Sequence, residues 1–205
     1  MDYKNVKLIL AYDGSHYHGW QRQKNALSVQ EVIEDKIQLM VDEPIKLIAS
    51  GRTDTGVHAL GQVCNFKTRS AIGPAVIKRG LNGLLPADIF VKDADYVSRG
   101  FHARYQAKSK TYEYRILNRV DPDVFQRNYV WHIRAPLDRE GMTECLTSLV
   151  GRNDFTSFRS SGSGNRNPVR SIIRSEIHGN ENGLLRILME ADGFLRHMVR
   201  NIVGT

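Results

Sequence analysis

The chain has 205 residues, 41% hydrophobic and 25% charged, enough for a buried core in one large domain or two of about 100 residues. Its 29 Lys and Arg against 22 Asp and Glu leave a net charge of +7, which favours a polyanionic partner, nucleic acid ahead of an acidic membrane surface. No apolar run approaches the ~18 residues of a membrane span, no signal-peptide pattern opens the chain, and Cys64 and Cys145 lack metal or redox spacing, so a cytoplasmic chain with reduced thiols is expected.

Residues 6–12 read as an apolar strand closed by Asp13-Gly14. Ser28 with Glu31 makes a capping box, after which Val29, Val32, Ile33, Ile37, Met40 and Val41 recur at helical spacing. Strands are expected at 45–49, bounded by Pro44, and at 62–68, followed by a short helix at 74–84 and a strand at 89–97. The second half repeats the outline. A strand spans 111–117, and Asp138 caps a helix with Met142, Cys145, Leu146, Leu149 and Val150 on one face. Strands at 169–178 and 184–191 and a helix from Phe194 complete it. The pattern predicts an α+β protein of two related units, 1–103 and 104–205, each a mainly antiparallel sheet flanked by helices.

The stretch Gly51-Arg52-Thr53-Asp54-Thr55-Gly56-Val57-His58 places one carboxylate on a glycine-bounded loop after a strand, two residues from a guanidinium. Asp54-Thr55-Gly56 is the tripeptide of aspartic proteases, but those need two carboxylates sharing a proton, and the chain has no second copy. No Gly-Lys-Ser/Thr completes a phosphate-binding loop, and Asp54 with His58 supplies only two metal ligands. The remaining alternative is a polar turn whose Asp and Thr cap their own backbone.

Two loops interleave cations with aromatic or flexible residues. His16-Tyr17-His18-Gly19-Trp20-Gln21-Arg22-Gln23-Lys24 offers stacking surfaces and phosphate contacts together, or a long loop whose Tyr17 and Trp20 pack on the core. Residues 159–166, Arg-Ser-Ser-Gly-Ser-Gly-Asn-Arg, make a Gly/Ser loop that either carries cations to a ligand or forms a plain hairpin.

Together these residues resemble the tRNA pseudouridine synthase A family. The signature is residues 51–59, with Gly61-Gln62-Val63 after it. Further blocks follow the family's order: Tyr12-Asp13-Gly14 with Gly19-Trp20-Gln21; Phe101-His102-Ala103-Arg104; Lys110-Thr111-Tyr112-Glu113-Tyr114; Asp154-Phe155-Thr156-Ser157-Phe158; and the run from Phe194 through Met198-Val199-Arg200-Asn201 to Gly204. The resemblance covers essentially the whole chain. Family members usually continue past that last run with a further apolar strand, so this chain is expected to be a fragment.

The resemblance implies the pseudouridine synthase fold with an active-site cleft between its units. It also implies a homodimer acting on tRNA, isomerising uridine on the 3′ side of the anticodon stem-loop without cofactor or metal. Asp54 is the implied catalytic carboxylate, which stabilises or attacks the positive charge that glycosidic cleavage develops. Arg200 is implied as its charge partner; a cation at ~4 Å contributes roughly 4 kcal/mol at an effective dielectric near 20. Periodicity alone makes Arg200 a solvated helix charge. Arg52 is implied to enter the RNA where the uridine flips out, the alternative being an ordinary phosphate contact. Tyr112 alternates with Tyr114 and Ile116, which reads as core packing, whereas the resemblance implies stacking on the uracil and a part in removing the C5 proton.

Overall fold

In the computed structural model, which describes residues 3–160 and 167–205, the first expected strand begins two residues early as β1 (Lys4–Tyr12). Its alternation puts Val6, Leu8 and Leu10 wholly out of solvent. β1 lies between two antiparallel neighbours, β3 (Ala59–Thr68) and β4 (Ile89–Val97). Helix α1 (Val29–Val41) starts at Ser28, whose side chain accepts from the Glu31 amide at 3.3 Å, and it buries Val29, Ile33 and Ile37. Helix α2 (Pro74–Leu84) opens on a proline, where the missing N–H is not needed, and buries Ile77 and Leu81. These residues and the inward face of β1 form one core.

The strand expected at 45–49 is reduced to β2 (Ile48–Ala49), an edge pair on β3. Backbone satisfaction explains this. The Leu47 amide donates to Glu34 Oε1 at 2.8 Å and its carbonyl accepts from Gln30 Nε2 at 3.2 Å. Side chains of α1, not a neighbouring strand, take up those backbone groups. The four-stranded sheet runs β2-β3-β1-β4. Beyond it, Asn5 and Asn65, both buried, bind each other at 2.9 Å and hold the chain that follows β4. Asn5 Nδ2 donates to the Ser98 and Phe101 carbonyls at 3.0 and 2.9 Å, and the Ala103 amide donates to Asn65 Oδ1 at 2.9 Å.

The chain divides into two compact units, Met1–Ala107 and Lys108–Thr205. The second unit is built on β5 (Lys110–Asn118), β6 (Trp131–Ile133), β7 (Gly151–Asp154), β8 (Val169–Gly179) and β9 (Leu184–Ala191). Their order is β6-β5-β9-β8-β7, with β6 parallel to β5 and every other pairing antiparallel. β6 and β7 are additions to the expected strands. The first strand of each unit therefore pairs with its last, β1 with β4 and β5 with β9.

Helix α3 (Arg139–Ser148) starts where Asp138 accepts from the Gly141 amide at 3.0 Å. Leu146 is buried, with Met142 and Leu149 packed beside it, but Cys145 and Val150 are exposed. Residues 145 and 146 flank the 142/149 line on opposite sides, about 100° apart, and the core covers the 146 side. Helix α4 is Met198–Gly204, four residues later than expected, because His197 takes a left-handed φ of 59° and breaks the helical path from Phe194. Residues 161–166 of the Gly/Ser loop lie outside the described residues. No helix among the described residues is long and apolar enough to cross a membrane.

Candidate active site

The Asp54 loop is held mainly by the backbone of the segment that follows β1. The Trp20 amide donates to the Thr53 carbonyl at 3.0 Å and the Gly56 amide to the Tyr17 carbonyl at 3.3 Å, one contact on each side of Asp54. The Val57 amide closes the turn on the Asp54 carbonyl at 3.1 Å. The Tyr12 and Thr53 hydroxyls hydrogen-bond at 2.8 Å, and Gln62 Nε2 donates to the Gly51 carbonyl. Two glycines permit this approach. A Cβ on Gly14 would lie 2.2 Å from the Val57 carbonyl oxygen, and one on Gly19, at φ +85°, would lie 2.7 Å from that of Thr53.

His58 ties the same parts together. Its Nδ1 lies 3.0 Å from the Gly14 amide and 2.9 Å from Asp13 Oδ1. The ring thus anchors the Asp13-Gly14 turn to the end of the Asp54 loop. Asp54 itself is half-buried and Arg52 is exposed. The backbone contacts before and after Asp54 fix where its carboxylate is carried.

The aromatic residues of the 16–24 loop resolve to packing. Tyr17 and Trp20 are 3% and 2% exposed, and the Tyr17 hydroxyl donates to Asp88 Oδ1 at 2.7 Å. Burial first, and the Asp88 carboxylate next, push that phenol well above its usual range. Arg22 lies 3.6, 3.4 and 3.1 Å from carboxylate oxygens of Glu31, Glu34 and Asp35. This segment is scaffold for the Asp54 loop, with His16 and His18 on its exposed side. A run of cations and aromatics gives no local sign of whether its rings face a ligand or a core.

In the second unit, Tyr112 sits on β5 opposite Met189 of β9, and the Phe194 ring meets it edge-on at 5.0 Å. Further along the same face, Tyr114 packs against the core and Ile116 is buried in it. Tyr112 is half-buried at the end of that face. On the other face, Glu113 takes two bonds from Arg186 and one from Arg115. Burial acts to raise its pKa, but the hydrogen bonds from Arg186 and Arg115 outweigh it and hold the carboxyl below the usual range.

Arg200 is exposed on α4, whose Met198 is buried and whose Val199, Ile202 and Val203 pack on the second core. The Asp154–Phe158 block is what seats this helix. Asn201 Nδ2 donates to the Phe158 carbonyl at 3.0 Å, the Ser160 amide donates to the Arg196 carbonyl at 3.2 Å, and Ser160 Oγ meets His197 Nδ1 at 2.9 Å. Phe155, 1% exposed, fills the core beneath. Two sequence blocks some forty residues apart are thus one structural device. Among the described residues no group of three or more His, Cys, Asp or Glu side chains is placed to hold a metal ion.

Comparison with known proteins adds an independent line. A family profile described as tRNA pseudouridine synthase matches residues 8–106 and 146–205, which hold Asp54 and Arg200 but not Tyr112. The chain is 48% identical over 202 residues to tRNA pseudouridine synthase A of Thermoanaerobacter sp. (strain X514), spanning 98% of this chain and 82% of that one. It is 46% identical over 202 residues to the protein of the same name from Acetivibrio thermocellus, with the same coverage. The tRNA pseudouridine synthase A 2 of Clostridium perfringens is 43% identical over 204 residues, again over 98% and 82% of the two chains.

Proposed function

The chain belongs to the tRNA pseudouridine synthase family, and we propose that it isomerises uridine on the 3′ side of the tRNA anticodon stem-loop, with Asp54 as the catalytic carboxylate. The C1′–N1 bond breaks, the uracil turns, and a C1′–C5 bond forms; N1 gains a proton and C5 loses one. Nothing is oxidised, hydrolysed or donated, so the atoms balance without a cofactor. One carboxylate suffices because the departing base is also the acceptor.

The observation that carries this reading is the position of Asp54, half-buried on a turn clamped at Thr53 and Gly56. Developing positive charge on the sugar is best met by an anion already in place. Tyr112 is assigned to the uracil, stacking on it and handling the C5 proton, since a phenol is flat, polar at one end and weakly hydrated. Arg52, exposed on the same loop as Asp54, is assigned to the space that the flipped uridine leaves. Arg200 is assigned as the cation that favours the ionised carboxylate. The protein acts in the cytoplasm as a homodimer, which light scattering at micromolar concentration checks.

Product analysis of an unmodified tRNA transcript tests the chemistry. Pseudouridine in the anticodon arm is the expected product; an abasic site would make the protein a hydrolase, and an unchanged transcript would make it a binding module. Asp54→Asn removes the charge and little volume, and is expected to lower turnover about 10⁴-fold or more with tRNA binding retained. Activity within about tenfold of the parent would remove Asp54 from the catalytic role.

A further inference from the structure

The stretch after β4 carries an aromatic and cationic cluster that has no part in the chemistry above. Tyr105 is 77% exposed, and the His102 ring stacks on it at 4.2 Å with 26° between planes. The Arg104 guanidinium lies 5.9 Å from the Tyr105 ring centre, at the outer limit of a cation–π contact, so it is close to the ring without being committed to it. Single exposed aromatics are ordinary, but this one is mounted. The Tyr105 amide donates to His102 Nδ1 at 3.3 Å and the Gln106 amide to the His102 carbonyl at 3.0 Å. Ala103 between them is buried, with its amide fixed by the buried Asn65, and Asn5 holds the Phe101 carbonyl. A tight turn anchored to a sheet core therefore presents a tyrosine to solvent at little further entropic cost.

Charge points to the ligand. From Ser98 to Tyr112 the sequence carries Arg99, Arg104, Lys108 and Lys110 and no carboxylate. Arg22, by comparison, sits among Glu31, Glu34 and Asp35, and Arg174 between Glu176 and Glu190. A flat ring beside the exposed cations Arg104 and Lys108 is the arrangement that holds a nucleic-acid base by stacking and its phosphates by charge. We propose that the His102–Tyr105 stack, with Arg104 beside it, is a platform for an unpaired base of the tRNA. This rests on the reading of tRNA as substrate.

Equilibrium binding by the full chain, measured against unmodified tRNA and against a blunt RNA duplex of similar length, tests it. Tyr105→Ala is expected to weaken tRNA binding about tenfold or more and to leave duplex binding within about twofold, because a paired base cannot stack on the ring. Tyr105→Phe keeps the ring and should retain the affinity for tRNA. Arg104→Gln should weaken both ligands and reduce the log–log salt slope by about 1, whereas Tyr105→Ala should leave that slope unchanged. Ultraviolet crosslinking of the parent should place a nucleotide adduct on the 102–105 peptide. Equal tRNA affinity of Tyr105→Ala and parent, equal loss on both ligands, or no adduct on that peptide would overturn the platform. The binding assays need no turnover: if tRNA is bound but never isomerised, the catalytic reading fails while this one is still decided by Tyr105.

Discussion

The two units hold their candidate functional residues by different means. In the first, Asp54 rides on a loop whose neighbours are gripped by backbone amides and carbonyls, and two glycines bring the chains so close that a methyl group would collide with backbone. In the second, the Arg200 helix is only seven residues long and is seated largely by side chains, Asn201 on the Phe158 carbonyl and Ser160 against His197. Tyr112 is placed by strand register and an aromatic edge. A backbone clamp fixes position tightly but cannot absorb added volume. A side-chain clamp gives way one bond at a time.

Substitutions away from Asp54 can separate these modes, and among them the largest effect is expected at the strand-borne tyrosine. Tyr112→Phe leaves the ring, its Phe194 contact and the pairing with β9 in place, so it tests chemistry alone. The single-turnover rate should fall about 10²–10⁴-fold with tRNA affinity retained, as loss of a proton-transfer group does. An unchanged rate would leave Tyr112 only a stacking part.

Gly14→Ala probes the backbone clamp. Its Cβ cannot be accommodated 2.2 Å from the Val57 carbonyl oxygen, so the Asp54 loop must shift. Displacement on the order of 1 Å should cost turnover about 10²-fold. A variant with parental kinetics would show that the loop is not held as tightly as its contacts imply.

Asn201→Ala is the matching change in the second unit. It removes one side-chain bond to the Phe158 carbonyl and should lower stability by about 1 kcal/mol, read by denaturant unfolding, with turnover changed only a few-fold. Turnover losses as large as those of Gly14→Ala would erase the distinction between the clamps.

The smallest effect concerns Glu113. Its folded pKa lies below the ordinary value, so the stability it contributes is present above the unfolded pKa and is lost as pH falls through the folded one. The difference in unfolding free energy between the parent and Glu113→Gln should be constant near neutral pH and shrink below about pH 4. A difference that grows on acidification would mean that Arg186 and Arg115 do not favour the ionised carboxyl.

Local signals carried much of this protein. Ser28 and Asp138 marked two helix starts, Pro74 a third, and period-two alternation marked β5, because caps, fixed φ and side-chain alternation act over a few residues. The glycines around Asp54 marked a turn, and Gly56 has a φ of +76° there. Non-local partners decided the rest. Leu47 left its strand because Gln30 and Glu34 of α1 reached its backbone first. Tyr17 and Trp20 went inward, and a left-handed His197 delayed α4 to meet the 155–160 segment. β6 and β7, three and four residues long, exist through the neighbours they pair with. Hydrogen bonds and burial are settled between segments far apart in the chain, and no window of sequence contains both halves of such a contact.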